Sequence, residues 1–116
     1  MDKVNFTTIE DGTDLVLSFS FDEETEFGID GFIMERTPKL EYALQPHERG
    51  VSIDWTDDDI IILVTKVELS KNTIKIHSQE KYYGFDISKL DENDIDEIKN
   101  ILKKMNFDNC FQLDIQ

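Results

Sequence analysis

Few side chains in this sequence could act as nucleophiles, acid–base groups or metal ligands. Its histidines are His47 and His77, and its one cysteine is Cys110. The strand pattern predicts that His77 points outward and that Cys110 is a small buried hydrophobic residue, while His47 lies in a proline-containing loop. The sequence contains no glycine-rich phosphate loop, no Cys-x-x-Cys pair and no His-Glu-x-x-His helix. It therefore predicts no catalytic residue, no bound cofactor and no enzyme activity.

Carboxylates are abundant by contrast, and they form two short clusters. The first cluster follows a predicted strand and contains Asp22, Glu23, Glu24 and Glu26. The second cluster surrounds the only tryptophan and contains Asp54, Trp55, Asp57, Asp58 and Asp59. The four aspartates of the second cluster could suggest calcium, but their spacing does not fit the loop of an EF-hand, so no metal site is predicted.

Both clusters could instead bind a basic partner. Tryptophan is a common anchor of protein interfaces, and carboxylates around it attract a positively charged surface. The alternatives are that Trp55 is a core residue at the end of a strand and that both clusters are solvated loops. The residues of the two clusters are the candidate partner-binding residues, with these alternatives open.

The net charge limits which classes of partner the protein can bind. The 116 residues carry a formal charge of −14, and the charge is unevenly distributed along the chain. Residues 1–65 hold 16 acidic and 4 basic residues, whereas residues 66–116 hold 10 acidic and 8 basic residues. Such a field repels nucleic acid and anionic membranes and attracts basic proteins, although acidity can also serve solubility alone. We therefore expect neither a nucleic acid nor a membrane as partner; the sequence gives no prediction of oligomeric state.

The chain is predicted to be one cytoplasmic domain spanning residues 1–116. Its length is typical of a single domain that buries a core without disulfides or metals. The first residues lack the basic start and apolar run of a signal peptide. The longest apolar run, Ile60 to Val64, is too short to span a membrane. A single cysteine excludes an intrachain disulfide and fits a reducing compartment.

A β-hairpin between Ile60 and His77 is the central predicted element. The apolar run from Ile60 to Thr65 indicates a strand covered on both faces. A turn at Ser70 to Thr73 then places Leu69 opposite Ile74. The same register places Val67 opposite Ile76 and Glu68 opposite Lys75, and a slip of one residue would exchange the two faces. Asn72 is able to take the left-handed conformation in this turn.

Other strands are predicted from alternation, at Val4–Ile9, Leu15–Phe21, Phe32–Arg36, Val51–Trp55, Tyr82–Ile87 and around Cys110–Ile115. Residues 40–44 are ambiguous between a loop and a short edge strand.

One amphipathic helix is predicted at Glu92–Met105. Asp91 is its expected N-cap, Asn106 its left-handed stop, and Phe107 is expected to fold under it. Strands first and one late helix predict an α+β fold. We expect a mostly antiparallel curved sheet, with the C-terminal amphipathic helix packed on one face and a final short strand.

Several segments together resemble a known class of proteins. They are Leu15–Asp22, Gly31–Arg36, Val51–Asp54, Val67–Ile76 and the helical segment Asp91–Leu102. In order and hydrophobic pattern they resemble the immunity proteins of bacterial polymorphic toxin and contact-dependent growth inhibition systems, most closely the tenth-numbered immunity family. The resemblance spans roughly residues 4–105.

This resemblance implies a non-catalytic antitoxin that binds a toxin domain made by a neighbouring gene. Many such toxins are nucleases with basic clefts, which an acidic surface could block. Two other functions stay open. One is an acidic mimic of nucleic acid that inhibits a DNA-binding protein, and the other is a small enzyme with an unrecognised site around His47 or Cys110.

Overall fold

A computed structural model describes residues 1–21, 31–54 and 61–116 of the chain. These residues form eight strands, one α-helix and two 3₁₀ helices. The strands are β1 (Asp2–Asp11), β2 (Leu15–Phe21), β3 (Gly31–Arg36), β4 (Ser52–Ile53), β5 (Val64–Leu69), β6 (Thr73–Ser78), β7 (Tyr82–Asp86) and β8 (Gln112–Ile115). The helix α1 is Glu92–Met105, and the 3₁₀ helices are Pro38–Ala43 and Pro46–Glu48.

The described strands form one open sheet with the order β4-β3-β2-β1-β7-β6-β5-β8. Two neighbouring pairs, β1–β7 and β5–β8, are parallel, and the other pairs are antiparallel. The strands of the first half of the chain therefore form one half of the sheet, and those of the second half form the other. The predicted α+β fold, with its late helix and final short strand, is confirmed.

The hairpin β5–β6 has the predicted register. Leu69 lies opposite Ile74, and Val67 lies opposite Ile76, so the buried side chains share one face. The turn is closed by the Ser70 amide, which donates to the Thr73 carbonyl oxygen at 2.9 Å. Asn72 does not take the left-handed conformation; among the described non-glycine residues, Asn109 alone has a positive φ.

The start of the hairpin and the fourth strand are shorter than predicted. β5 begins at Val64, and Ile61 is 38% exposed, so residues 61–63 are not a strand covered on both faces; Ile60 lies outside the described residues. Backbone hydrogen bonds join these two segments: Ile53 N–H donates to the Ile62 carbonyl, and Val64 N–H donates to the Val51 carbonyl. These bonds curve the sheet, because they bring the β4 edge against the residues that lead into β5.

The helix α1 has the predicted bounds and the predicted N-cap. The Asp94 amide donates to Asp91 Oδ1 at 2.8 Å, and the Asp94 carboxylate accepts from the Asp91 amide, forming a capping box. The apolar stripe of the helix packs against β1 and β2. Its fully buried members are Ile98, Ile101, Leu102 and Met105.

The predictions for the end of the helix were wrong. Asn106 has a φ of −99°, so the left-handed residue is Asn109 instead, three residues further on. Phe107 is 59% exposed, and Phe111 is the aromatic residue that enters the core after the helix. The chain turns later than predicted because Asn106 Oδ1 accepts from the Phe111 amide, which fixes a longer connection.

The centre of the core is a group of aromatic rings from both halves of the sheet. The ring of Phe32 lies 5.0 Å from that of Tyr83 and 4.9 Å from that of Phe85. Phe19 lies edge-on to Phe85 at 5.8 Å. Such offset and tilted pairs add about 0.5–1.5 kcal/mol each beyond the area they bury. Packing of these rings therefore joins the two halves of the sheet.

Candidate interaction surface

Among the candidate partner-binding residues, the structure describes Asp54 alone. It is exposed and directly follows β4, with its amide donating to the Ile33 carbonyl at 3.0 Å. The other candidates lie outside the described residues; they are Trp55, Asp57, Asp58, Asp59, Asp22, Glu23, Glu24 and Glu26. The predicted strand position of Trp55 likewise falls outside them.

The described residues that flank the two acidic clusters lie at one end of neighbouring strands. Phe21 ends β2, and Gly31 begins β3 opposite Ser20. Ile53 pairs with Met34 on β3, so Asp54 lies two strand positions from Gly31 in the axial direction. At about 3.3 Å per residue this is an offset of about 7 Å. The described residues next to the first cluster, Phe21 and Gly31, therefore lie close to Asp54, which belongs to the second cluster.

Asp54 lies against a second carboxylate, Glu35, which the sequence analysis did not single out. Glu35 is on the outward face of β3 and pairs with Ser52, so Asp54, two residues after Ser52, is its diagonal neighbour on the same face. Burial raises the pKa of Glu35 above its ordinary value, and the nearby charges of Asp54 and Asp14 raise it further. Among the described residues, no lysine, arginine or histidine forms an ion pair with Glu35 or Asp54.

Glu35 also lines a groove between β3 and the two 3₁₀ helices. The groove encloses about 290 Å³ and is here called the acidic groove. Its carboxylates are those of Asp14, Glu35, Glu41 and Glu48, and its apolar side chains are those of Leu40, Leu44 and Ile61. The remaining residues that line the groove are Arg36, Thr37, Gly50 and Ser52. The groove thus combines negative charge with exposed apolar surface.

The 3₁₀ helices that form one wall replace the predicted loop or edge strand at residues 40–44. Pro38 and Pro46 occupy their first positions, where a missing N–H leaves no bond unmade. The Leu40 amide donates to the Thr37 carbonyl at 3.0 Å, and the Thr37 hydroxyl donates to Asp14 Oδ1 at 2.7 Å. A strand does not form here, because these local bonds satisfy the backbone within the segment.

This segment exposes two apolar side chains, of which Leu40 lines the acidic groove. Leu40 is 57% exposed and Tyr42 is 80% exposed. Ile61, across the groove, is 38% exposed. Single exposed apolar residues are ordinary, but a group of them beside carboxylates is the composition of a protein interface. Leu40 and Tyr42 were missed in the sequence analysis because the pattern after Pro38 fits neither helix nor strand.

Below the groove, a buried arginine holds three segments together; we call this group the Arg36 clasp. The Arg36 side chain is only 1% exposed and makes paired hydrogen bonds to Glu41, at 2.7 and 2.9 Å. It makes a second pair to Asp108, both at 2.8 Å, and donates to the Met105 carbonyl at the end of α1. Its guanidinium also stacks 4.3 Å from the Phe107 ring, which explains why that ring stays outside the core.

The Arg36 clasp shifts the titration of its neighbours. Hydrogen bonding to Arg36 lowers the pKa of Asp108 to about 2. Hydrogen bonding to Asp108 raises the pKa of Arg36, so this cation keeps its charge. Burial raises the pKa of the Cys110 thiol, and Arg36 Nη1 lies 3.2 Å from its sulfur. Cys110 is half-buried, directly before Phe111 rather than in β8, and a raised pKa disfavours the reactive thiolate.

The two histidines are apart from this surface. His47 is exposed in the second 3₁₀ helix, and the acidic groove is lined by neither His47 nor Cys110. His77 lies on the outward face of β6, as predicted, with its ring 4.9 Å from that of Tyr82 and its Nε2 3.6 Å from a Glu68 oxygen. In residues 1–21, 31–54 and 61–116, no group of three or more His, Cys, Asp or Glu side chains could hold a metal ion.

Comparison of the chain with protein-family models, with curated proteins and with solved structures found no match in any of the three. The described part of the chain contains no helix that is long and apolar enough to cross a membrane.

Proposed function

We propose that this chain is a non-catalytic immunity protein of the bacterial cytoplasm. It binds a cognate toxin domain, a basic nuclease, and blocks the active-site cleft with its acidic surface. The observation that supports the proposal best is the acidic groove, which places carboxylates and exposed apolar residues together in the more acidic half of the chain.

The distribution of charge suits this function. Residues 1–65 include 16 acidic and only 4 basic residues, and these residues build the β4-β3-β2-β1 half of the sheet. A surface of one sign raises the rate at which an oppositely charged protein is captured, up to about 10⁸–10⁹ M⁻¹s⁻¹ at low salt. Fast capture is what protection from a nuclease requires.

Exposed apolar residues would supply the binding energy that keeps the complex from dissociating. A few buried anchors carry most of the binding energy in protein interfaces, and tyrosine and tryptophan are enriched among them. Tyr42, 80% exposed and next in sequence to the groove residue Glu41, is one candidate anchor, and Trp55 is the other candidate from the sequence. The resemblance to immunity proteins across roughly residues 4–105 supports the same function.

Co-expression with the toxin domain encoded directly upstream tests this proposal. We expect cells that produce both proteins to grow, and a one-to-one complex to be purified from them. Persistent killing, or turnover of a substrate by the purified chain, would contradict the proposal. Capture of a host DNA-binding protein in place of the toxin would favour a mimic of nucleic acid.

A matched pair of variants tests the contribution of the acidic cluster. In one variant the four carboxylates Asp22, Glu23, Glu24 and Glu26 are changed to their amides. In the control, the same change is made at four exposed carboxylates of the second half, Glu80, Glu92, Asp96 and Glu97. Both variants lose the same charge, and we expect only the first to bind the toxin at least tenfold more weakly. Equal affinities would show that the cluster does not contact the toxin.

A further inference from the structure

We propose that the acidic groove is the docking site for an arginine side chain of a basic protein partner, with the guanidinium at the groove carboxylate Glu35 and its neighbour Asp54 outside the lining, and the stem between Leu40 and Ile61. This inference rests on the proposed function and names the contact through which it acts. The partner is a protein segment, because the groove is small, open and bordered by exposed apolar side chains.

The size of the groove fits one side chain. Its volume of about 290 Å³ is at the lower limit of pockets that hold drug-sized ligands, which span roughly 300–1,000 Å³. Folded elements such as helices need a longer groove. A single long side chain, reaching in from a partner surface, fills such a space.

Charge selects the kind of side chain. Three of the groove carboxylates already have partners: Glu41 binds Arg36, Glu48 accepts from the Gln45 amide, and Asp14 accepts from the Thr37 hydroxyl. Glu35 instead has Asp54, a second carboxylate, as its diagonal neighbour across the β3–β4 pairing, and no cation from the described residues is paired to either. A cation placed between these two groups removes their repulsion, and burial of part of Glu35 strengthens the attraction.

The walls of the groove favour arginine over lysine. Leu40 and Ile61 are both more than a third exposed, so they offer apolar surface to the methylene stem. The head group then meets two neighbouring carboxyls. A planar guanidinium with five donors can bind both at once, whereas a compact ammonium cannot match this geometry as well.

The groove also lacks a competing cation of its own. The nearest arginine, Arg36, is bound on both sides by Glu41 and Asp108. Arg49 donates to the Leu44 carbonyl from Nε and Nη2, at 3.2 and 3.0 Å, so its head group is directed to the backbone. An arginine of the partner would therefore meet no competing cation from the described residues at Glu35 and Asp54.

A titration with small probes tests the site without the toxin. N-acetyl-arginine methylamide is added to the full chain at low salt, and amide resonances are followed by NMR. We expect saturable shifts at Ser52, Asp54 and Ile61, and at least tenfold weaker binding by the double variant E35Q/D54N. Glu10→Gln/Glu80→Gln is the control with the same change of charge, and it should bind like the wild type. Thermal melts of all variants check that they are folded.

Two further probes decide the specificity. The neutral citrulline analogue should cause no saturable shift, and the lysine analogue should bind at least several-fold more weakly than arginine. Equal binding of lysine and arginine would overturn the assignment to arginine. Shifts that do not saturate, or that persist in E35Q/D54N, would overturn the site itself.

The toxin complex separates this inference from the proposed function. If E35Q/D54N binds and neutralises the toxin like the wild type, the arginine site is wrong while the immunity function stands. If the wild type binds arginine at the groove but no toxin is neutralised, the immunity function fails and the site stands.

Discussion

Arg36 shows what the sequence conveys about a single residue and what it does not. Alternation along β3 places Phe32 and Met34 inside, and by the same alternation Arg36 points inward. A buried arginine must be paired, because an isolated charge in the interior is costly. The sequence can therefore signal that Arg36 needs acidic partners, but it does not identify them. Asp108 is 72 positions away, and only the fold brings it to Arg36.

Asp108→Asn is expected to destabilise the protein in a pH-dependent way. The Asp108 carboxyl has its pKa lowered to about 2 by hydrogen bonding to Arg36, so its ionised form stabilises the folded state. That stabilisation is present above the ordinary carboxyl pKa and is lost as the pH falls through about 2. Urea unfolding should show a loss of about 1–3 kcal/mol near pH 7. The side chain is 45% exposed, which favours the lower end of this range because solvent screens the pair.

The pH series supplies the decisive comparison for this variant. The difference between wild type and Asp108→Asn should shrink between pH 4 and pH 2, since the Asp108 carboxyl of the unfolded wild type is protonated there while that of the folded state stays ionised until about pH 2. Asp96→Asn, at an exposed helix position, is the control and should change little at any pH. A difference that stays constant down to pH 2 would show that charge on Asp108 does not stabilise the fold.

At the scale of elements, the helix was predictable because every local signal agrees. The N-cap Asp91 and the buried stripe give the same bounds for α1. Lysines 103 and 104 in the last turn also complement the helix dipole. The hairpin register was predictable for a similar reason, since apolar pairs fall on one face. The 3₁₀ helices were not, because six- and three-residue segments carry too few residues to show a period.

Asp91→Ala is expected to destabilise the protein by about 0.5–2 kcal/mol. The substitution removes the acceptor of the Asp94 amide and one half of the capping box. Chemical unfolding followed by circular dichroism measures the loss. Asp96→Ala removes a carboxylate from the same helix without removing a cap, and it should cost less. Equal costs would mean that the cap does not hold the start of α1.

For the candidate site, sequence reasoning reached Asp54 and missed its partner. Asp54 was singled out for its neighbours in the chain, whereas Glu35 lies 19 positions earlier and meets it only through the β3–β4 pairing. Likewise, Ile61 and Leu40 line the same groove only because the β4 edge pairs with the residues before β5. Long-range pairing of short strands is what the sequence pattern could not supply.

At the scale of the whole molecule, the order of strands turns an uneven distribution of charge along the chain into an uneven distribution of charge in the fold. Residues 1–65 supply the strands of one half of the sheet, and residues 66–116 supply α1 and most of the other half. The charges of the two parts of the chain, with 16 acidic residues in the first and 10 in the second, are thereby kept apart. This arrangement would turn a more negative side toward a basic partner during approach.

Association with the toxin domain is therefore expected to depend strongly on salt. Raising the ionic strength from about 20 mM to about 500 mM shortens the Debye length from about 20 Å to a few ångströms. The association rate measured by stopped-flow fluorescence should fall at least tenfold, while the dissociation rate changes less. The variant with amides at Asp22, Glu23, Glu24 and Glu26 should show a shallower dependence. An association rate that salt does not alter would contradict electrostatic steering.

The pairing of β1 has a consequence for the way the two halves of the sheet are joined. β1 is bonded to β2 along most of its length, from Val4 to Asp11, but to β7 through Asp2 and Lys3 alone. The ladder between β1 and β7 is thus two residues long. Across it, the rings of Phe19 and Phe32 pack against the rings of Tyr83 and Phe85 on β7. The half that bears the acidic groove is therefore joined to the other half by side chains more than by the β1–β7 ladder, and the bonds from Ile53 to Ile62 and from Val64 to Val51 are a second backbone link.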